Sequence, residues 1–449
     1  MQSSSSSSTY AQIQGTNYHH KTKKVHGSTS DIISNLPSNV IENILMCLPI
    51  RDAVRTCVLS SKWRYNWVKL PQLVFDDMFW KILGENQLST KKKLLVNMYQ
   101  VFLLHNGPIL KFTLSISGLE SCSEIDQFIL VVSRNGVQEF TLRIWNGEHH
   151  KLPLSFFSCL LLTHLNLRTC VFEPPPTFEG FSRLTSLVFY EVLISADTLA
   201  SLISSCPLLD QLSLESFAIF DHLEIVARNL TFLHIRANFK TVRFINTPLL
   251  AIVSIDLKVP IDGQVFKEGG TSNMIKLFDS LPVENLDIGF HYVKSLAAGG
   301  IPEGLPTTLD HLKILKLSEI CFGEPDEVAC VLLLIRSSPN LQKVRIEAST
   351  IVSPISVTDG VLEFWNVQGD SDVSWNQLRE VEMRFISGMK TELEFIKLIL
   401  AKSPMLESMI IEPHSKEVAK KGLRILKGVI RFRRASPNAE IIYEDPNED

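Results

Sequence analysis

The stretch Leu162-Thr163-His164-Leu165-Asn166-Leu167-Arg168-Thr169-Cys170 decides the fold. It fits Leu-x-x-Leu-x-Leu-x-x-Asn/Cys, the unit of a leucine-rich repeat, and its Leu165-x-Leu167 core has the two-residue period of a strand with one buried face. Outward from it the pattern returns at Leu184, Leu187, Phe189, Val192, at Leu209, Leu212, Leu214, Phe217, and at Leu230, Leu233, Ile235, Asn238. Weaker copies run from Val137, Phe140, Leu142 through Leu250, Val253, Ile255; Val283, Leu286, Ile288; Leu312, Leu315, Leu317; Leu341, Val344, Ile346; and Leu378, Val381, Met383 to Leu406, Met409, Ile411. The spacing is irregular, about 20 to 30 residues, as in repeats carrying insertions.

No such unit buries its leucines alone, so the units must stack. Stacking predicts an α/β fold: an irregular leucine-rich-repeat solenoid over 108–370, with a parallel sheet on the concave face and helices on the convex one. Segments 195–206, 325–338 and 391–403 read as convex helices, each closed by Cys-Pro or Ser-Pro. Thr391-Glu392-Leu393-Glu394 reads as a capping box. Residues alternating with the leucines face the concave surface, where solenoids bind partners. The expected target-binding strip therefore includes His164, Asn166, Arg168, Tyr190, His234, Arg236, Lys343 and Arg345. Its mixed charge and aromatic content suit a protein or peptide.

Residues 1–30 are Ser, Thr, Gln, His and Lys with almost no core material, which predicts a disordered tail. Between 31 and 77 the composition turns to short apolar helices broken by prolines: Val40, Ile41, Ile44, Leu45 and Leu48 on one, Arg51 to Val58 as a second, and a third carrying Trp63 and Trp67. A unit this small struggles to bury so many large apolar groups, so another polypeptide is expected to cover part of it. A connector over 78–107 contains a helix from 89 to about 104, capping the repeats, with Gly107 beyond its end. The remaining segment is 371–449.

The chain has 449 residues, 45% hydrophobic, with net charge -4, which excludes wholesale disorder and argues against nucleic acid as a partner. No apolar run has membrane-spanning length, and none resembles a signal peptide. The eight cysteines are scattered without zinc spacing and read as reduced thiols. No phosphate loop, nucleophile elbow or metal motif occurs, so we expect no catalytic residue, no metal, no cofactor and no enzymatic activity. The basic group Arg424, Lys427, Arg431, Arg433, Arg434 is expected to pair with the acidic end, Glu440 to Asp449.

Ile33-Ser34-Asn35-Leu36-Pro37, Ile44-Leu45, Leu48-Pro49, Asp52 through Ser60 and Trp63 through Trp67 together resemble a plant F-box. Segment 377–413, followed by Phe432 to Pro437 and Glu440 to Tyr443, resembles the FBD domain that closes many plant F-box proteins with leucine-rich repeats. Ser38 and Asn39 stand where that box commonly carries an acidic residue. The resemblance implies a box docking on a Skp-type adaptor, which sits on a cullin–RING scaffold, while the repeats hold a target protein for ubiquitination. It implies adaptor-binding roles for Leu36, Pro37, Val40, Ile44, Leu48, Pro49, Val54, Val58, Leu59 and Trp63, with Trp63 as the expected main anchor. Two other readings remain: a repeat scaffold outside any ligase, and a ligand-dependent receptor of the same family. Residence in the nucleus and/or cytoplasm is expected.

Overall fold

The structure, a computed structural model, describes residues 32–33, 35–80, 87–258, 283–297, 305, 307–349, 374–414 and 422–445. The expected Ser-rich tail lies outside the described residues. Among the described residues fourteen strands form one sheet, each paired in parallel with the next, from Gln72–Asp76 at one edge to Glu440–Tyr443 at the other. The strands follow chain order without crossover, as expected when each repeat touches only its neighbours. Register puts Phe112, Phe140, Leu165, Leu187, Leu212 and Leu233 in one buried row, continuing through Val253 to Met409. Two residues on, Leu142, Leu167, Phe189 and Leu214 begin a second. Full burial of such a side chain is worth about 1.5 to 3 kcal/mol, which is realised only because the adjacent coil supplies the other wall.

The return legs include the helices Ala196–Ser204, Pro325–Arg336 and Lys390–Lys402, matching the three convex helices read from sequence. Between Gln211 and Ile245 the return leg is a strand instead. Gln211–Val226 and Phe232–Ile245 pair along both legs of the coil, with a shift between Glu215 and Ile219. There Phe220, Leu223 and Ile225 are buried, and the leg carries mostly aromatic and β-branched residues at its inward places. At Lys390–Lys402 the cap differs from the expected one: Glu392 accepts N–H bonds from Ser387 and Met389, while Glu394 pairs with Lys397. The helix begins earlier than Thr391, so Glu392 and not Glu394 holds the capping place.

Thr169, Glu191, Glu319 and Phe385 share one repeat position, two residues past the second buried residue, and all have positive φ (53°, 51°, 56° and 59°). At that step the chain turns off the sheet, and non-glycine side chains tolerate it at a cost of about 1 to 2 kcal/mol.

The sheet starts earlier than the repeat pattern indicated. Gln72–Asp76 and Lys111–Ser115 are its first two strands, burying Leu73, Phe75, Phe112 and Leu114. Phe75 lies 5.0 Å from Phe79, 5.9 Å from Phe102 and 6.3 Å from Phe112 between ring centroids. Phe112 continues to Phe140 at 5.5 Å and Phe140 to Phe156 at 5.1 Å. Phe102 belongs to the connector helix, Gln87–Leu104, which covers the first strands as expected of a cap. Gly107 follows, where a Cβ would stand 2.8 Å from the Lys69 carbonyl oxygen.

The N-terminal helices Ser38–Met46 and Ile50–Arg55 attach to this edge. Their Ile41, Leu45, Ile50 and Ala53 belong to the same core as the sheet. Gln72 donates to the Met46 carbonyl at 2.6 Å, and the Asn106 N–H to Val68 at 2.9 Å. The expected third helix is a turn followed by the 3-10 segment Asn66–Lys69; the box folds as two α-helices and tight turns.

Candidate functional site

Two surfaces carry the candidate residues. On the box, side chains split between an inner and an outer side. Trp63 is 3% exposed and its indole N–H donates to the Ile33 carbonyl at 3.0 Å, so in this chain it fastens the box instead of presenting an anchor. That corrects the expectation for Trp63: its spacing to Trp67 gave no means of telling the faces apart, and both indoles point inward. Leu36, Leu48 and Val54 are half-buried against the core, and Val40 is half-buried. Pro37, Pro49 and Ile44 are exposed, while Val58 and Leu59 stand out at 87% and 49%. Sequence reasoning did not single out Ile32, Ile33, Met46 and Tyr65, which are exposed as well.

Hydrogen bonds gather several of these. Lys62 donates to the Leu36 carbonyl, Trp63 to Ile33, and the Cys57 thiol to the Arg64 carbonyl at 2.8 Å. Ile33, Leu36 and Cys57 are thereby each tied to the stretch Lys62-Trp63-Arg64, next to the exposed Val58, Leu59 and Tyr65 in sequence. The internal side of the box is covered by this chain's own first strand and connector; the outer side keeps apolar surface free. Contiguous exposed apolar surface marks an interaction site more reliably than scattered leucines.

The second surface is the open face of the sheet. In the row between the buried residues stand Asn166, Val188, Ser213, His234, Ser254, Asp287, Lys316, Arg345 and Glu382. Two residues further stand Arg143, Arg168, Tyr190, Glu215, Arg236 and Asp256. His164 and Lys343 lie in the row on the other side, with His164 exposed. All eight expected target-facing residues thus lie on this face.

Most of its cations are matched. Arg236 reaches Glu215 and Asp256 at 3.8 Å each. Lys343 pairs with Glu380 at 2.6 Å, Arg345 with Glu347 at 3.2 Å, and Arg384 with Glu412 at 3.3 Å. Lys258, 6% exposed, pairs with Glu191 and with Glu215 at 3.2 Å, its ammonium 3.6 Å from the Phe217 ring centre. The left-handed turn at Glu191 makes this possible, because the same carboxylate also accepts the Phe217 N–H at 3.2 Å. Burial lowers the pKa of His234 and raises those of Asp256 and Asp287. A cleft of about 240 Å³ lies between Asp287, Lys316, Arg345 and Glu347. It is polar, and smaller than the roughly 300 to 1,000 Å³ of most small-ligand sites.

A Ser-His-Asp grouping also occurs: His150 takes Ser121 at 2.9 Å on Nδ1 and Asp126 at 3.2 Å on Nε2. His150 is 3% exposed and burial lowers its pKa; it ties the start of the helix Ser123–Ser133 to the small two-strand ribbon of His150–Lys151 and Cys170–Val171. Cys159 and Cys206 are buried thiols pushed up to about 12 and 11, and burial raises Cys170 further still; these match core use and not nucleophilic use. The basic residues Arg431, Arg433 and Arg434 make no ion pair with Glu440, Glu444 or Asp445 among the described residues; Arg434 donates to the Ala439 carbonyl at 3.0 Å.

A helical box with exposed apolar side chains, joined through one core to a parallel leucine-rich solenoid with a polar open face, defines the class as a box-and-repeat protein. Residues 33–73 match the family model "F-box domain", and residues 125–346 match that of the LRR repeats of FBD-associated F-box protein At5g56370. F-box/FBD/LRR-repeat protein At1g13570 of Arabidopsis thaliana is 38% identical over 419 residues, covering 93% of this chain and 99% of the relative. FBD-associated F-box protein At5g56370 of the same plant is 24% identical over 437 residues, 92% of this chain and 100% of the relative. The chain belongs to the F-box/FBD/LRR-repeat family.

Proposed function

We propose that this chain is the substrate-recognition adaptor of an SCF-type, cullin–RING ubiquitin ligase. The box binds a Skp-type adaptor through its outer side, and the open face of the sheet binds a target protein. The observation that supports this best is the pairing of a box whose Val58 and Leu59 remain exposed with a core that runs unbroken from Ile41 through Phe75 into the repeats. A box joined that way holds the target at a fixed distance from the ubiquitin-charged enzyme. Catalysis is then proximity: a tethered target meets the transfer site at high effective concentration. The complex works in the nucleus and/or cytoplasm.

Co-expression of the full chain with a Skp-type adaptor and a cullin, followed by size-exclusion chromatography, tests the reading. All three should co-elute, and Val58→Asp with Leu59→Asp should release the chain while leaving it folded. Co-elution with the adaptor but never with the cullin would leave a scaffold outside any ligase.

A further inference from the structure

Against the matched charges on most of the sheet face, two cations stand apart. Arg143 and Arg168 are cross-strand partners in the same outward row, on adjacent strands. Adjacent strands lie about 4.8 Å apart, so the two arginines leave neighbouring backbone positions, and like charges placed side by side destabilise a sheet. Among the described residues neither has an acidic partner; Arg143 donates its Nε–H to the side-chain Oδ1 of Asn166, at 3.4 Å. The acids in the same row two strands away are occupied: Asp76, counted from Arg143, by the N–H groups of Met78 and Phe79, and Glu215, counted from Arg168, by Arg236 and Lys258.

Arg168 is held in place. Its guanidinium carbon lies 4.2 Å from the Trp145 ring centre and 3.9 Å from that of Tyr190. The planar guanidinium stacks on aromatic faces while its edge remains available for bidentate bonding. Its Nε is buried without a hydrogen-bond partner, so the terminal nitrogens are the donors left for a ligand. Stacking also removes rotamer freedom beforehand, which lowers the entropy lost when a ligand binds.

We propose that Arg143 and Arg168 form the recognition site for a phosphorylated serine or threonine on the target. The inference rests on the reading of this face as the target surface. Two unbalanced positive charges match a group of about -1.5 to -2 with three acceptor oxygens, whereas one carboxylate neutralises only half of them. Trp145, 39% exposed, and Tyr190 supply apolar walls for the flanking residues of an extended peptide.

The test uses the full chain bound to its Skp-type adaptor. The probe is a fluorescent peptide pool with one fixed phosphoserine or phosphothreonine among degenerate positions, beside matched unphosphorylated and glutamate pools. Anisotropy should favour the phosphorylated pool at least tenfold. Arg143→Gln and Arg168→Gln should each remove that preference, and Arg168→Lys should lose most of it. Arg379→Gln should not change it, since Arg379 is already paired with Glu407 at 2.9 Å. Inorganic phosphate at constant ionic strength should raise the melting temperature of the wild type but not of the double glutamine variant. Arg143→Gln alone should melt no lower than wild type, which verifies that it folds. Equal binding of the glutamate pool, or a phosphate preference that survives both substitutions, would overturn the proposal. So would the absence of any preference. Adaptor co-elution is scored on the same samples: its loss sinks the ligase reading, whereas a bound adaptor with no phosphate preference sinks this inference alone.

Discussion

The division of the box into an inner and an outer side separates two kinds of variant that sequence reasoning placed together. Trp63→Ala removes a buried indole, at about 3 to 5 kcal/mol for large-to-small core substitutions, and leaves the Ile33 carbonyl without its donor. Val58→Ser with Leu59→Ser changes exposed side chains and should alter stability by about 0.5 kcal/mol or less. Burying a Val or Leu completely is worth about 1.5 to 3 kcal/mol, so fractions of 87% and 49% leave roughly 2 to 4 kcal/mol for a partner to gain. At 1.4 kcal/mol per decade that is about 30- to 1,000-fold in affinity. Hydrogen–deuterium exchange of the amides in Ser38–Met46 and Ile50–Arg55 reads box stability, and surface plasmon resonance against a Skp-type adaptor reads binding. Trp63→Ala should speed exchange about 100-fold or more and weaken binding as a consequence; the double serine variant should leave exchange alone and weaken binding directly. The reverse pattern, with Trp63→Ala exchanging normally yet failing to bind, would show that Trp63 swings out to serve as the anchor and refute the assignment.

Three further outcomes follow from the core. Burial lowers the pKa values of His150 and His234 below the ordinary 6.5, so the unfolded chain takes up protons that the folded one refuses. Melting temperature should fall as pH drops through about 6.5, less steeply in His150→Gln. The raised Asp256 and Asp287 oppose that loss in more acidic solution. Gly180 has φ of +96°, and a Cβ there would stand 2.3 Å from the Ser205 Cβ; Gly180→Ala should cost well over 1 kcal/mol in urea titration. Gly118→Ala, with φ of +83° but its nearest atom 4.0 Å away, should cost about 1 kcal/mol and show the strain alone. Native alkylation followed by mass spectrometry should find Cys47 fastest, then Cys57, Cys122 and Cys321; Cys159, Cys170, Cys206 and Cys330 should react only after denaturation.

The leucine rows were legible because their period of two recurs in unit after unit, and burial leaves few side chains able to fill them. Gln72–Asp76 and Lys111–Ser115 carry the same spacing, as Leu70, Leu73, Phe75 and Ile109, Phe112, Leu114, and escaped because one follows the box directly and the connector helix Gln87–Leu104 separates it from the other. The strand return leg of Gln211–Val226 escaped for a different reason: a short apolar alternation reads alike on either side of a coil. Of the outward residues, the alternation placed all eight on the correct face. What it could not supply was their pairing, because whether Arg236 finds Glu215 or Arg168 finds no acid depends on which residues the register sets side by side. Trp63, expected as the main anchor on a third helix, lies on the inner side; a tight turn, unlike a helix, has no periodicity from which an inner face can be deduced.

Register also bears on how the two surfaces work together. Arg168 lies on the fourth strand of the sheet, counted from Gln72–Asp76, which leaves the box directly. At about 4.8 Å per strand the separation is roughly 15 Å, short compared with the full width of the sheet. On the proposed reading, a target phosphate at Arg143 and Arg168 sits near the box end, and the phenylalanine chain from Phe75 through Phe112 and Phe140 makes the intervening strands a packed block. Interiors packed to crystal density transmit position instead of absorbing it. Moving the anchor to a strand farther along should then shift which target lysines are modified, even where affinity is kept.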